Sequence, residues 1–178
     1  MTEIEVKILN INKEEIIKKL LALGAEAWPR ALITEKGFDF PNRTFGRRGH
    51  SLRLRQVGEQ VELTYKNATQ KGKLFKMREE TETIVSDFAT MEKILNKLGL
   101  RCFRHRQKYR TSFKLGNTHF EIDEYPGIPA YLEIESDKYN ILKYTKVLGY
   151  THEQTSSASA ASVLKKYHVN KDFLIFND

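Results

Sequence analysis

Apolar and polar residues alternate along most of this chain. Ile4, Val6 and Ile8 interleave with Glu3, Glu5 and Lys7. Leu52 and Leu54 interleave with Arg53 and Arg55, and Val61, Leu63 and Tyr65 with Glu62, Thr64 and Lys66. A period of two marks a strand with one face in a core and the other outside it. Further runs place Lys76, Arg78, Glu80 and Glu82 on one face, then Arg106, Lys108 and Arg110, then His119, Glu121 and Asp123. The last run sets Tyr131, Glu133 and Glu135 opposite Leu132 and Ile134. With a shorter run around Phe38-Asp39-Phe40, the pattern predicts about eight strands, each with one apolar and one charged face.

Four segments read as helices. Asn12 is a good N-cap for Lys13–Leu23, with Glu15 at the capping-box position, Gly24 as the stop, and Ile16, Ile17, Leu20, Leu21 and Leu23 as a broad apolar stripe. Ser86 is expected to cap a second helix, with Phe88, Met91, Ile94, Leu95 and Leu98 inward and Gly99 as its stop. Asp137–Leu148 reads as a third and Ser157–Tyr167 as a fourth, with Ala160, Val163, Leu164 and Tyr167 on one side. Phe173, Leu174, Ile175 and Phe176 predict that the tail docks. Asn67–Lys73 is a polar loop, and Asn42–His50, carrying Arg43, Arg47 and Arg48, is a basic one. No Pro-rich linker divides the chain, so one domain over 1–178 is expected, with a C-terminal helix and tail at 153–178.

The strand and helix readings combine into a repeated unit. Glu3-Ile4-Glu5, Glu80-Thr81-Glu82 and Glu133-Ile134-Glu135 each open a stretch that ends in Leu-Gly, at Gly24, Gly99 and Gly149. The units shorten along the chain, which argues against a solenoid of fixed period. Residues i and i+2 of a strand share a face about 7 Å apart. At an effective dielectric near ~20 two carboxylates there repel by about 2 kcal/mol. A chain that does this three times must bring cations to the same place, as metal ions, as Lys and Arg, or as both.

Composition sharpens that picture. The 178 residues are 40% hydrophobic and 30% charged, with a formal net charge of +7. The excess favours anionic partners without choosing among them. Cys102 is the only cysteine, so no intrachain disulfide or cysteine-based zinc site forms, and the five histidines show no His-Glu-x-x-His pairing. A metal here is expected to be a hard cation with oxygen ligands. No apolar signal segment or membrane-length run is present, so a cytoplasmic location and no membrane partner are expected.

A solvated sheet face usually mixes Thr, Ser, Gln and Lys. This one carries paired like charges on strand after strand, which suits a lining around an ion-rich ligand better. Closing about eight strands into a barrel would turn that face inward and remove the exposed edges. Arg and Lys would neutralise anionic oxygens, and grouped carboxylates would hold Mg²⁺ or Mn²⁺. Phosphoryl chemistry needs mostly positioning and charge stabilisation, so the lack of an evident Ser or His nucleophile does not exclude an enzyme.

Here the residues resemble a family. Glu3-Ile4-Glu5-Val6-Lys7 is similar to the Glu-x-Glu-x-Lys signature of CYTH-domain proteins, the triphosphate tunnel metalloenzymes. Phe38-Asp39, Leu52-Arg53-Leu54-Arg55, Leu63-Thr64-Tyr65-Lys66, Arg78-x-Glu80-x-Glu82, Lys108-x-Arg110, Asp123 and Leu132-Glu133-Ile134-Glu135 follow in the family's order, over about residues 1–165. Pro126-Gly127-Ile128-Pro129 and the Ala/Ser-rich stretch Ser156–Ser162 depart from its pattern. The resemblance implies an α+β fold built on a closed eight-stranded antiparallel barrel, with helices packed outside. It implies that Glu3, Glu5, Glu133 and Glu135 hold Mg²⁺ or Mn²⁺, assisted by Asp123. Lys7, Arg53, Arg55, Lys66, Arg78, Lys108 and Arg110 would bind a triphosphate. Glu5, Lys7, Lys66, Glu80 and Glu82 would carry catalysis, Glu80 or Glu82 by binding a second metal or orienting water. Asp39 is expected at a mouth or a turn.

Four functions remain open on the sequence. One is metal-dependent hydrolysis of an inorganic, nucleoside or thiamine triphosphate. Another is a class IV adenylyl cyclase, in which the ribose 3′-hydroxyl attacks and diphosphate leaves. A non-catalytic polyphosphate, nucleotide or RNA-end binding module would not need so many carboxylates. A nucleic-acid-binding barrel would need exposed aromatics amid basic residues, but Phe103, Tyr109 and Phe113 fall opposite Lys108 and Arg110, on the expected outer face. An outer helix face is compatible with a homodimer, which nothing in the sequence specifies.

Overall fold

The structure, a computed structural model, describes residues 2–68, 70–71 and 76–177, with the side chains of residues 2, 3, 70, 71 and 76–78 outside that description. Its strands are β1 (Thr2–Ile8), β2 (Glu26–Ala27), β3 (Ala31–Asp39), β4 (Ser51–Val57), β5 (Gln60–Lys66), β6 (Gln70–Lys71), β7 (Lys76–Val85), β8 (Arg101–Leu115), β9 (Thr118–Glu124), β10 (Tyr131–Glu135), β11 (Thr155–Ser156) and β12 (Phe173–Leu174). The helices are α1 (Lys13–Ala22), α2 (Thr44–Arg47), α3 (Phe88–Lys97), α4 (Lys138–Val147) and α5 (Ala160–Lys166). This is an α+β fold with one large sheet. Its long strands run in the order β1-β10-β9-β8-β3-β4-β5-β7, antiparallel throughout. One further antiparallel pairing sets Thr2–Glu5 of β1 against Lys76–Glu79 of β7.

Register carries the charged face from strand to strand, because directly opposed residues of an antiparallel pair point the same way. Lys7 lies opposite Glu133, Glu133 opposite Glu121, and Asp123 opposite Arg110. Glu35 lies between Arg106 on one side and Arg55 on the other. Arg55 opposes Glu62, and Lys66 opposes Glu80. The opposite face is apolar and packs under helices. Val6, Ile8, Phe113, Phe120, Ile122, Leu132 and Ile134 bury against Ile16 and Leu20 of α1 and Ile141 of α4. Phe38, Leu54 and Val61 bury against Leu95 of α3. A third cluster lies on the other side, where Tyr131 shares the face of Glu133, and joins Tyr125 and Tyr131 to Val163 and Leu164 of α5, with Leu174 against it. Each such aliphatic or aromatic side chain contributes on the order of 2 kcal/mol by leaving water. The charged face is thereby left as the inner one.

Several elements differ from the sequence reading. The strand expected around Phe38 runs from Ala31, nine residues in all. Asp87, not Ser86, caps α3, its Oδ1 accepting from Thr90 N at 2.7 Å. Ile94 and Leu98, expected inward, are exposed at 44% and 64%, as are Leu21 and Leu23 of the α1 stripe. The fourth helix starts later, at Ala160, because Ser159 accepts from Ser162 N and Thr155–Ser156 first pairs with β1. The basic loop contains α2, which Asp39 organises: Oδ1 accepts from Phe40 N and Phe45 N, and Oδ2 from Gly46 N. The turn role expected of Asp39 is the one the structure shows. The polar loop Asn67–Lys73 lies partly outside the described residues.

Candidate active site

The inner face surrounds a cavity of about 360 Å³. Among the described residues, eight cations line it: Lys7, Arg53, Arg55, Lys66, Arg104, Arg106, Lys108 and Arg110. Six described carboxylates line it too: Glu5, Glu35, Glu82, Glu121, Glu133 and Glu135. Ser159, Ala160 and Ala161, at the start of α5, close one side with small groups.

The two signs are unevenly spread. Neighbouring strands β1, β10 and β9 bring Glu5, Glu133, Glu135 and Glu121 together. Lys7 sits among them, 2.8 Å from Glu5 and 2.7 Å from Glu133. Burial lowers the Lys7 pKa, but Glu133 and Glu5 outweigh it and hold the ammonium above the ordinary lysine range. Lys7 and, at Glu121, Arg110 do not neutralise this wall. Burial, together with Glu121, Glu133, Glu5 and Glu80, pushes the Glu135 carboxyl up to about 7. Crowded oxygens with too little positive charge are the donor set a hard divalent cation takes. Among the described residues no ready-made cluster of three or more metal ligands is present. The Glu3 side chain, the fourth ligand expected, lies outside the described residues, although its backbone lies opposite Arg78 at the β1–β7 pairing.

The facing wall is cationic. Each cation pair there is spaced by a buried carboxylate. Asp123, fully buried, accepts from Lys108 Nζ at 2.7 Å and from Arg110 Nε and Nη2 at 2.6 and 2.8 Å. Both its oxygens are thus engaged by cations. Arg110 also pairs with Glu121. Glu62 takes Arg55 at 2.7 Å and Arg53 at 3.3 Å. Thr64 Oγ1 accepts from Arg53 at 3.1 Å and contacts Glu82 at 3.1 Å. Burial raises the Glu35 carboxyl, yet Arg104, Arg53, Lys108 and Arg106 together bring it down to about 2. Burial also lowers Arg53, with Arg55 beside it, and Lys108, with Arg110 beside it. Arg53 Nε, Arg55 Nε and Tyr131 OH are buried with no hydrogen-bond partner among the described residues, and all three residues line the cavity. Buried donors without acceptors point to an anion with several oxygens.

Of the residues expected at the site, Glu5, Lys7, Arg53, Arg55, Lys66, Glu82, Lys108, Arg110, Glu133 and Glu135 line this one cavity. Glu80 pairs with Lys66 beside it. Asp123 stands behind its cations. The side chain of Arg78 lies outside the described residues. Glu35, Arg104 and Gly37 were not anticipated. A Cβ on Gly37 would come within 2.9 Å of the Arg104 guanidinium, so the missing side chain is what lets Arg104 lie across β3. Arg106 and Glu121 stood on the right faces in the alternation but had no role assigned.

A model of the CYTH domain matches residues 1–159, and the chain belongs to that family. Over 175 residues it is 27% identical to a protein of Methanocaldococcus jannaschii named "putative adenylate cyclase", covering 98% of this chain and 94% of that one. Its fold is similar to that of the PH1012 protein of Pyrococcus horikoshii, with a TM-score of 0.74, 25% identity, and coverage of 88% and 96%. A Hippeastrum adenylyl cyclase homologue, reported to have a dominant triphosphatase activity, shares the fold at a TM-score of 0.68 and 16% identity, covering 92% of this chain and 95% of that one.

Proposed function

We propose that the chain hydrolyses a triphosphate inside the cavity, with Mg²⁺ or Mn²⁺ as cofactor, and that its eight long strands close into a tunnel through the β1–β7 pairing. The observation that carries this reading is the facing of a cation wall, with buried unpartnered arginine donors, and a carboxylate wall too crowded to stay fully ionised. A monoanion does not need eight lining cations. A chain of phosphates does.

Arg53, Arg55, Lys108 and Arg110 bind and orient the phosphate oxygens, held in place by Glu62 and Asp123. Glu5, Glu133 and Glu135, with Glu3, are the residues that would hold the metal, which when bound would supply charge stabilisation for the phosphate oxygens and the departing diphosphate. Lys7 positions Glu5 and Glu133. A water oxygen bonds to the terminal phosphorus, the bridging P–O bond breaks, and its electron pair leaves with the diphosphate. Glu82, which accepts from Thr64 Oγ1 at 3.1 Å, would accept the water proton.

A second reading is kept by a second observation. A further cavity of about 230 Å³ shares Ser51, Arg104, Arg106 and Ala161 with the first. It leaves room for a non-phosphate part, as in ATP, and so accommodates a cyclase. Product analysis on ATP with Mn²⁺ decides: the hydrolase releases orthophosphate, whereas the cyclase releases diphosphate and cyclic AMP. No product from ATP or tripolyphosphate, with ligand binding unaffected by EDTA, would leave only a binding module.

A further inference from the structure

The tail after α5 does more than cover the sheet. Asn170 Oδ1 accepts from Asp172 N at 3.0 Å and Phe173 N at 3.1 Å, a turn that aims the following residues along β8. β8 outruns β9, whose pairing with it stops at Tyr109. β12 runs parallel to β8 at His105 and Arg106, and His105 N donates to Asp172 O at 2.7 Å. Phe176 N donates to Gln107 Oε1 at 3.1 Å, and the Phe176 ring lies 4.9 Å from that of Tyr109. Within this seam Arg106 Nε donates to the backbone carbonyl of Lys171. Arg106 is 3% exposed, lines both cavities, and lies 3.7 Å from Glu35 Oε1 through Nη1.

We propose that the tail Lys171–Phe176 is a positioning strap for Arg106, fixing its guanidinium at the junction of the two cavities for the phosphate chain. A guanidinium has five donors in a rigid plane. Tying Nε to the carbonyl of Lys171, in the wall of the second cavity, sets the plane and leaves the remaining donors for Glu35 and a ligand. Loss of the tie returns side-chain freedom that binding must then remove. The inference rests on the reading of the cavity as a triphosphate site. The tail acts through Arg106 and touches no reacting atom, so its effect falls on binding.

The test is a double-mutant cycle on the metal-loaded chain, joining deletion of residues 171–178 to Arg106→Ala. The readouts are KM and kcat for tripolyphosphate, and calorimetric binding of tripolyphosphate without metal. Deletion alone is expected to weaken binding and raise KM about tenfold, the scale of one charge-assisted hydrogen bond, with kcat changed less than twofold. Arg106→Ala does the same or more, and deletion added to it does nothing further. Phe176→Asp, which dislodges the tail without shortening the chain, repeats the deletion result and replaces it should the deleted chain fail to fold. Effects of tail and Arg106 that multiply independently, or a fall in kcat at constant KM, overturn the strap. A wild-type chain that binds no tripolyphosphate instead removes the site reading beneath it.

Discussion

The two walls of the cavity handle like-charge crowding in opposite ways. On the cation wall every pair has its own buried carboxylate: Asp123 for Lys108 and Arg110, Glu62 for Arg53 and Arg55, Glu35 for Arg104 and Arg106. That wall is built before any ligand arrives, which is the condition for electrostatic stabilisation without reorganisation. Among the described residues the carboxylate wall has Lys7 between Glu5 and Glu133 and Arg110 at Glu121, and Glu135 carries the remaining deficit as a pKa pushed up to about 7. One wall carries its own counter-charges and keeps arginine donors for a ligand, and the other has more negative charge than its described cations offset. The contrast says which substitutions act on folding and which on ligand.

The largest effect is expected at Asp123→Ala, which strands two buried cations. A loss of about 3–5 kcal/mol is expected in urea denaturation, far more than for Glu135→Gln. Equal losses would mean that the walls are not built differently. Arg53→Ala comes next. It spares Glu62's contact with Arg55, so the chain should fold, while kcat/KM for the preferred triphosphate falls roughly 10²–10³-fold.

The third prediction concerns pH. Glu135 has a folded pKa of about 7, above its ordinary value of 4.5. The folded metal-free chain therefore holds a proton that the unfolded chain releases. The resulting stability is present below about pH 4.5 and is lost as pH rises to about 7. Relative to Glu135→Gln, the wild-type chain without metal should lose stability across that interval in paired denaturation curves. Mn²⁺ affinity should rise over the same interval as the proton is displaced, and Glu135→Gln should flatten the rise. The smallest effect is at Asn12→Ala. This removes the α1 cap, where Oδ1 accepts from Glu15 N at 3.1 Å, and should cost about 1 kcal/mol without changing kcat.

The walls were legible in the sequence where alternation is clean. Arg53 and Arg55, Lys108 and Arg110, Glu133 and Glu135 each flank an outward apolar or neutral residue, and a period of two puts the pair on one face. β3 was legible only at Phe38, because Leu32, Ile33, Thr34, Glu35, Lys36 and Gly37 mix apolar and charged residues on both faces. Glu35 was hidden for that reason. Its signal lay in its neighbours, two strands rich in arginine with no anion between them. The helix α2 has no local propensity behind it. It stands because Asp39, from the end of β3, accepts from its first amides. Ser86 and Asp87 are equally good caps by residue type, so the choice of Asp87, which accepts from Thr90 N, is not legible from residue type. The docking of Phe173 and Phe176 followed from their apolar run. Their partner, the uncovered edge of β8, depends on strand lengths set elsewhere.

Phosphate release from tripolyphosphate tests the central claim most directly: the carboxylate wall takes a metal, and the cation wall takes the phosphates. The chain is assayed with Mg²⁺ and with Mn²⁺, beside an EDTA control and Glu5→Ala. The account predicts release with metal that EDTA abolishes and Glu5→Ala reduces at least a hundredfold. Release that persists in EDTA, or that Glu5→Ala leaves intact, would contradict it.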